Sequence, residues 1–298
     1  MLKLRFVLVS AVYLFFAGAP LPTLACASCG SGGDDPLVLY PFEQIKTYIG
    51  FTNANNFRNI DQSGAEASAG GPTTKRILTG ALGYGISPRS FITATIPYIH
   101  NSRKETSHSR LGDISVSGRY ALLLQSIDQP LIPQVQLLLG YKSQTGRSLN
   151  ESRDLKTLVD VSGTGFQEVR TGVDIWFGMT DLKPGVSHSY AIPLKRDFKG
   201  KSYKPGLVSR STLSIAYKFF DLVKVTTGLN RDYRKPLRVD DVQQRDSAQL
   251  NHSGFLSTDW MVSELGTVRV SLAKQAAIFD NYSTARSMSA TIAYMQSY

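Results

Sequence analysis

Glu168-Val169-Arg170-Thr171-Gly172-Val173-Asp174-Ile175-Trp176 is the stretch that decides the fold class. Val169, Thr171, Val173 and Ile175, continued by Phe177, share one parity; Glu168, Arg170, Gly172, Asp174 and Trp176 share the other. Successive side chains of a strand point to opposite faces, so this period of two makes one apolar face and one polar face. The pattern recurs along the chain. Ile114, Val116, Gly118, Tyr120 and Leu122 alternate with Asp113, Ser115, Ser117 and Arg119. Leu213, Ile215, Tyr217 and Phe219 alternate with Thr212, Ser214, Ala216 and Lys218. Val223, Val225 and Leu229 alternate with Lys224, Thr226, Gly228 and Asn230.

A soluble sandwich alternates too, with its polar face outside and two sheets packed together. Three features favour a transmembrane β-barrel instead. The strands run about 9–12 residues, the length of a tilted strand that spans a bilayer. Connections alternate between short ones (near 86–90, 124–131, 180–186, 219–222 and 263–266) and long polar ones (near 53–74, 100–110, 143–163, 193–206, 232–247 and 279–285). Short periplasmic turns and long outer loops are the asymmetry of outer-membrane barrels. Finally, Ile292, Tyr294 and the terminal Tyr298 share parity, with Gln296 breaking the row, a pattern like the signal read by the barrel-assembly machinery. The expected fold is all-β: an antiparallel up-and-down barrel of about twelve strands, with ten or fourteen as alternatives. The strands fall near 43–52, 75–86, 90–99, 112–123, 132–142, 165–179, 187–193, 207–218, 222–232, 248–261, 265–278 and 286–297. An even number places both termini in the periplasm.

The flanking sequence agrees with export. Residues 1–25 read as a signal peptide: Lys3 and Arg5 precede an apolar run from Phe6 to Ala19, and Thr23-Leu24-Ala25 offers a small-x-small cleavage site. Cleavage after Ala27 and a lipoprotein start at Cys26 are the alternatives. Residues 26–41 form a periplasmic Cys- and Gly-rich segment, and 42–298 form the barrel. The formal charge is +10, and loss of Lys3 and Arg5 leaves +8. Export and the scattering of these charges over loops exclude a nucleic-acid partner. Outer-membrane lipid and anionic lipopolysaccharide suit that field better. No Gly-rich phosphate motif is present, so no cofactor is expected.

Five stretches carry a family resemblance: Leu82-Gly83-Tyr84-Gly85-Ile86-Ser87; Phe91 to Tyr98; Leu111-Gly112-Asp113-Ile114 with Arg119-Tyr120; Leu139-Gly140-Tyr141-Lys142 with Thr145-Gly146; and Gly163-Thr164-Gly165. In order and spacing they resemble the bacterial outer-membrane transporters of the phenol-degradation meta-pathway type. The resemblance implies a Gram-negative outer-membrane channel for small solutes and does not name the solute. Ser143-Gln144 departs from that group's usual Pro before Thr-Gly, and the N-terminal cysteines are an addition.

The inferred inward faces carry the acidic Asp113, Glu168, Asp174 and Asp259 and the basic Arg119, Arg170, Lys218, Lys224 and Arg269. Rings of charge that line a pore set ion selectivity. Five bases against four acids nearly balance, so strong selectivity does not follow, and salt bridges that brace a plugged barrel are the other reading. Cys26-Ala27-Ser28-Cys29 could hold a soft metal ion or cycle with a periplasmic redox or metal-handling partner; a short structural disulfide is the simpler alternative. Lys195 to Lys201 is a basic loop that could meet lipopolysaccharide phosphates or stay solvated. His100-Asn101-Ser102 and Asn251-His252-Ser253 have residue types found in outer-membrane lipases, but no orienting group is evident, and the expectation is a protein without enzymatic activity.

Overall fold

The alternation closes on itself. In a computed structural model of the chain, which describes residues 36–39, 43–60, 66–67, 73–124, 132–154, 157–177, 181–219, 222–244, 247–276 and 284–298, twelve strands form one antiparallel barrel. They are β1 (Ile45–Ile60), β2 (Thr73–Ser87), β3 (Ser90–Arg103), β4 (Ser115–Leu123), β5 (Gln134–Lys142) and β6 (Glu168–Trp176). The second half comprises β7 (Leu182–Pro193), β8 (Val208–Phe219), β9 (Val223–Arg234), β10 (Gln249–Met261), β11 (Gly266–Ala276) and β12 (Thr284–Ser297). Each strand pairs with the next in sequence, and β12 pairs with β1 from Lys46↔Ser297 to Ile60↔Thr284. No edge is left bare, which is the condition for placing a sheet in hydrocarbon, where nothing else satisfies backbone N–H and C=O groups.

The twelve strands and the loop asymmetry match the sequence reading. β2 turns into β3 through residues 88–89 and β10 into β11 through 262–265, while 143–167 joins β5 to β6. Two strands differ most in extent. β1 runs on to Ile60 rather than ending near 52, and β7 begins at Leu182 rather than 187. The long-loop end also carries structure of its own. Thr106–Leu111 pairs with β3, and Arg196–Phe198, Lys201–Lys204, Arg238–Val239 and Val242–Gln243 form a small separate sheet that joins the β7–β8 and β9–β10 loops.

The outer face is the apolar one. Phe51, Leu78, Ile96, Leu139, Leu213 and Ile292 are all exposed, Leu139 by 65%. An exposed apolar surface extending around a molecule marks contact with a partner or a membrane. Here it forms a band bounded by tyrosines: Tyr84 and Tyr120 lie toward the short-turn end, and Tyr98 and Tyr141 toward the long-loop end. Such paired aromatic girdles belong to spanning barrels.

Candidate functional site

The lumen is filled from both ends, and the candidate site is the space that remains. At the long-loop end the β5–β6 loop folds back along the inner wall. Asn101, on the inward face of β3 and only 2% exposed, donates to the carbonyls of Val159 (3.1 Å) and Val161 (2.7 Å). Arg103, two residues on, donates to the Thr157 carbonyl at 3.2 Å.

The loop's base is a knot of three distant segments. The Asp113 carboxylate accepts the backbone N–H of Gly146 (2.9 Å), the N–H of Thr164 (2.7 Å) and the Thr164 hydroxyl (3.0 Å). Thr145 Oγ1 donates to the Gly112 carbonyl at 2.7 Å and accepts the Ile114 N–H at 2.9 Å. Gly146 and Gly163 lie so close that a Cβ on Gly146 would come within 2.7 Å of the Gly163 Cα, so neither position has room for a side chain. Three of the stretches that carried the family resemblance thus meet at one point.

A second anchor lies deeper in the loop. Asp160, buried, accepts from the Arg147 guanidinium (2.9 Å), the Ser152 hydroxyl (2.5 Å) and the Arg153 N–H (2.9 Å). Burial alone would raise this carboxyl, but those donors and the Arg147 charge outweigh it and hold the pKa at about 2, against an ordinary 3.8. A depressed carboxyl contributes stability that is fully present above the unfolded value and is lost as pH falls through the folded one. The loop should therefore stay protected from amide exchange above about pH 4 and lose protection on acidification toward pH 2. Hydrogen exchange of residues 147–162 across that range checks this, with Asp160→Asn expected to abolish the pH step.

At the short-turn end the N-terminal segment enters the barrel. Leu37 and Leu39 are 0% and 3% exposed. Lys46, on the inner face of β1, donates to the Val38 carbonyl at 3.3 Å and pairs with Glu43 at 3.0 Å. Leu39 Cδ1 sits directly over Gly83 of β2, where a Cβ would collide with it. Gly83 is therefore the seat of this leucine as well as a point where the sheet can bend.

A cavity of about 190 Å³ lies against the wall formed by β4 to β10. Arg119 pairs with Asp174 across it. Glu168 is shared by Lys142 (2.8 Å) and Arg170 (3.5 Å), and Arg210 pairs with Asp232 at 2.6 Å. Of the nine charged residues named from the sequence, Arg119, Glu168, Arg170 and Asp174 line this cavity. Lys224, Asp259 and Arg269 form a separate cluster on the inner face toward the short turns, with Asp259 accepting from Lys224 at 2.9 Å and Arg269 at 2.6 Å. Lys218, paired in register with Lys224, lies at that same end. Asp113 lies in the loop knot. Lys142, Arg210, Asp232 and Arg234 also line the cavity and were missed. Their parity reveals them: Arg210 shares it with Thr212 and Lys218, and Asp232 and Arg234 with Lys224 and Asn230.

His100 and Ser102 share the outward face, and His100 Nδ1 lies 2.7 Å from Ser109 Oγ. His252 and Ser253 fall on opposite faces of β10. In the basic loop, Arg196 pairs with Glu151 and donates to the Gly165 carbonyl at 2.9 Å, so it ties the loop to its neighbour rather than reaching into solvent. Cys26 and Cys29 lie outside the described residues, as do residues 1–25, whose reading as a signal peptide is an expectation from sequence.

No family model matches the sequence, and no curated protein matches it. Among solved structures, the barrel is similar to an outer membrane channel from Pseudomonas putida F1, with a TM-score of 0.73 at 11% identity over 90% of this chain and 100% of that one. It is also similar to the translocator domain of the autotransporter NalP from Neisseria meningitidis, with a TM-score of 0.53 at 10% identity over 86% of this chain and 88% of that one. At these identities the likeness is one of fold, a closed antiparallel β-barrel.

Proposed function

We propose that the chain is a passive channel of the Gram-negative outer membrane for small solutes. One observation carries this reading: a closed barrel with an apolar belt outside encloses a cavity whose wall is built of charge and hydroxyls. Polar groups on a lumenal face cost desolvation unless water or solute meets them, so such a wall suits an aqueous path. The short turns face the periplasm and the long loops the exterior, with outer-membrane lipid and lipopolysaccharide around the belt. The resemblance to meta-pathway transporters and the fold shared with the Pseudomonas channel support the same assignment. Purified protein in planar bilayers should give discrete conductance steps. Folded, membrane-inserted protein that passes no current would sink the channel reading.

The two inward fillings favour a second reading, a non-conducting docking barrel whose Cys26–Cys29 tail engages a periplasmic redox or metal-handling partner. The same recording separates the two.

A further inference from the structure

We infer that the cavity wall is a selectivity site for small carboxylate-bearing organic anions; this rests on the channel reading. The nine charges named from the sequence nearly balance; those that line the cavity do not. The cavity is lined by five cations, Arg119, Lys142, Arg170, Arg210 and Arg234, and three carboxylates, Glu168, Asp174 and Asp232. Asp174 pairs with Arg119 and Asp232 with Arg210, while Glu168 meets both Lys142 and Arg170. Arg234 has no ion pair among the described residues. Two positive charges are left over.

Their placement makes a site. Arg170, Ala191, Val208 and Arg234 are successive partners across β6, β7, β8 and β9. Two guanidinium groups therefore flank a floor of small side chains, their backbones roughly 14 Å apart at ordinary strand spacing. The neighbouring row runs Gly172, Ser189, Arg210 and Asp232, which places a third arginine and a hydroxyl beside that floor. Nothing large stands between the arginines. Planar guanidinium groups bind carboxylates in a bidentate manner, and Val208 and Leu138 offer apolar surface to a ligand's carbon skeleton. A bare halide would use the charge but not the apolar surface.

The test is a reversal potential across a KCl gradient with the full-length protein, followed by addition of potassium succinate on the loop side. The wild type should prefer chloride to potassium, and succinate should reduce the chloride current. Arg234→Gln should lower the anion-to-cation permeability ratio about threefold, one charge's share of a roughly tenfold focusing of counter-ions. Asp232→Asn, which removes a carboxylate and leaves the arginines, should raise the ratio. Cation preference in the wild type, or a ratio unmoved by both substitutions, overturns the inference and leaves the channel standing. Anion preference without any effect of succinate overturns the carboxylate site. Absence of all conductance overturns the channel reading and the inference with it.

Discussion

Asp113→Ala should release the β5–β6 loop from the inner wall and raise single-channel conductance severalfold. The carboxylate accepts two backbone N–H groups and one hydroxyl from segments more than thirty residues away in sequence. Hydrogen bonds to a charged acceptor are the strong ones, and a buried donor left without its partner costs about 1–3 kcal/mol. Alanine orphans two backbone N–H donors at once, leaves the Thr164 hydroxyl only the Phe166 carbonyl at 3.3 Å, and opens a void beside Gly163. Thr145 cannot replace the lost acceptor, because its hydroxyl is already committed to Gly112 and Ile114. The barrel ladder does not pass through Asp113, so the strands should assemble normally. Asp113→Asn keeps the shape and one acceptor oxygen and should fall between wild type and Asp113→Ala. Conductance and protease cleavage after Arg153 are the two readouts. A variant that matches wild type in both would show that the knot does not hold the loop.

The second large effect belongs to the opposite end. Truncating both Leu37 and Leu39 to alanine should undock the N-terminal segment and increase the open cross-section on the short-turn side. Each leucine is fully or almost fully buried, and replacing a buried leucine with alanine costs about 2–5 kcal/mol. Among the described residues, a hydrogen bond from Lys46 to the Val38 carbonyl also holds the segment. Val38, exposed between the two leucines, supplies the control, and Val38→Ala should behave as wild type. Because the segment is not a barrel strand, the heat-modifiable mobility of the barrel on gels should not change. If the double variant conducts as wild type does, the leucines pack against the wall without obstructing the path.

Much of this architecture was legible because a barrel obeys a short code. Parity alone assigned inside and outside for β4, β6, β8 and β9, and the alternation of loop lengths set the count. β7 was read short because Leu182-Lys183-Pro184-Gly185 looks like a turn. The structure explains why proline is tolerated there. The Pro184 carbonyl accepts the Phe177 N–H at 2.9 Å, so its missing donor points toward β6, just past Trp176, the last β6 residue in that ladder. β1 was read short because Asn53, Asn55 and Asn56 resemble a loop, yet they continue the ladders with β12 and β2.

The candidate site was less legible, for a different reason. A charge on the inward face can line a path, brace a wall or anchor a loop, and parity is blind to the choice. Asp113 has the right parity for a pore residue, but its partners Gly146 and Thr164 come from a loop whose inward course follows from tertiary contacts with Asn101 and Arg103. Likewise, the almost neutral count of the nine residues named from the sequence left out Lys142, Arg210, Asp232 and Arg234 and concealed an uneven distribution. Asp259 gathers Lys224 and Arg269 toward the short turns, and the surplus of arginine collects on the β6–β9 wall.

The seam between β1 and β12 sets a condition on how this molecule can come into being. Thr52 and Thr291 share a hydroxyl hydrogen bond of 2.8 Å across 239 residues of chain. Contacts so remote in sequence form late, after the loop-closure entropy of everything between them has been met. The first strand must therefore wait, half-paired, for the last. A message cut short anywhere before Thr284 would not yield a smaller barrel: it would leave two open edges that seek strands from other molecules. Completeness of the polypeptide is thus tested by geometry itself, at the final hairpin, and a truncated product is destined for aggregation or degradation.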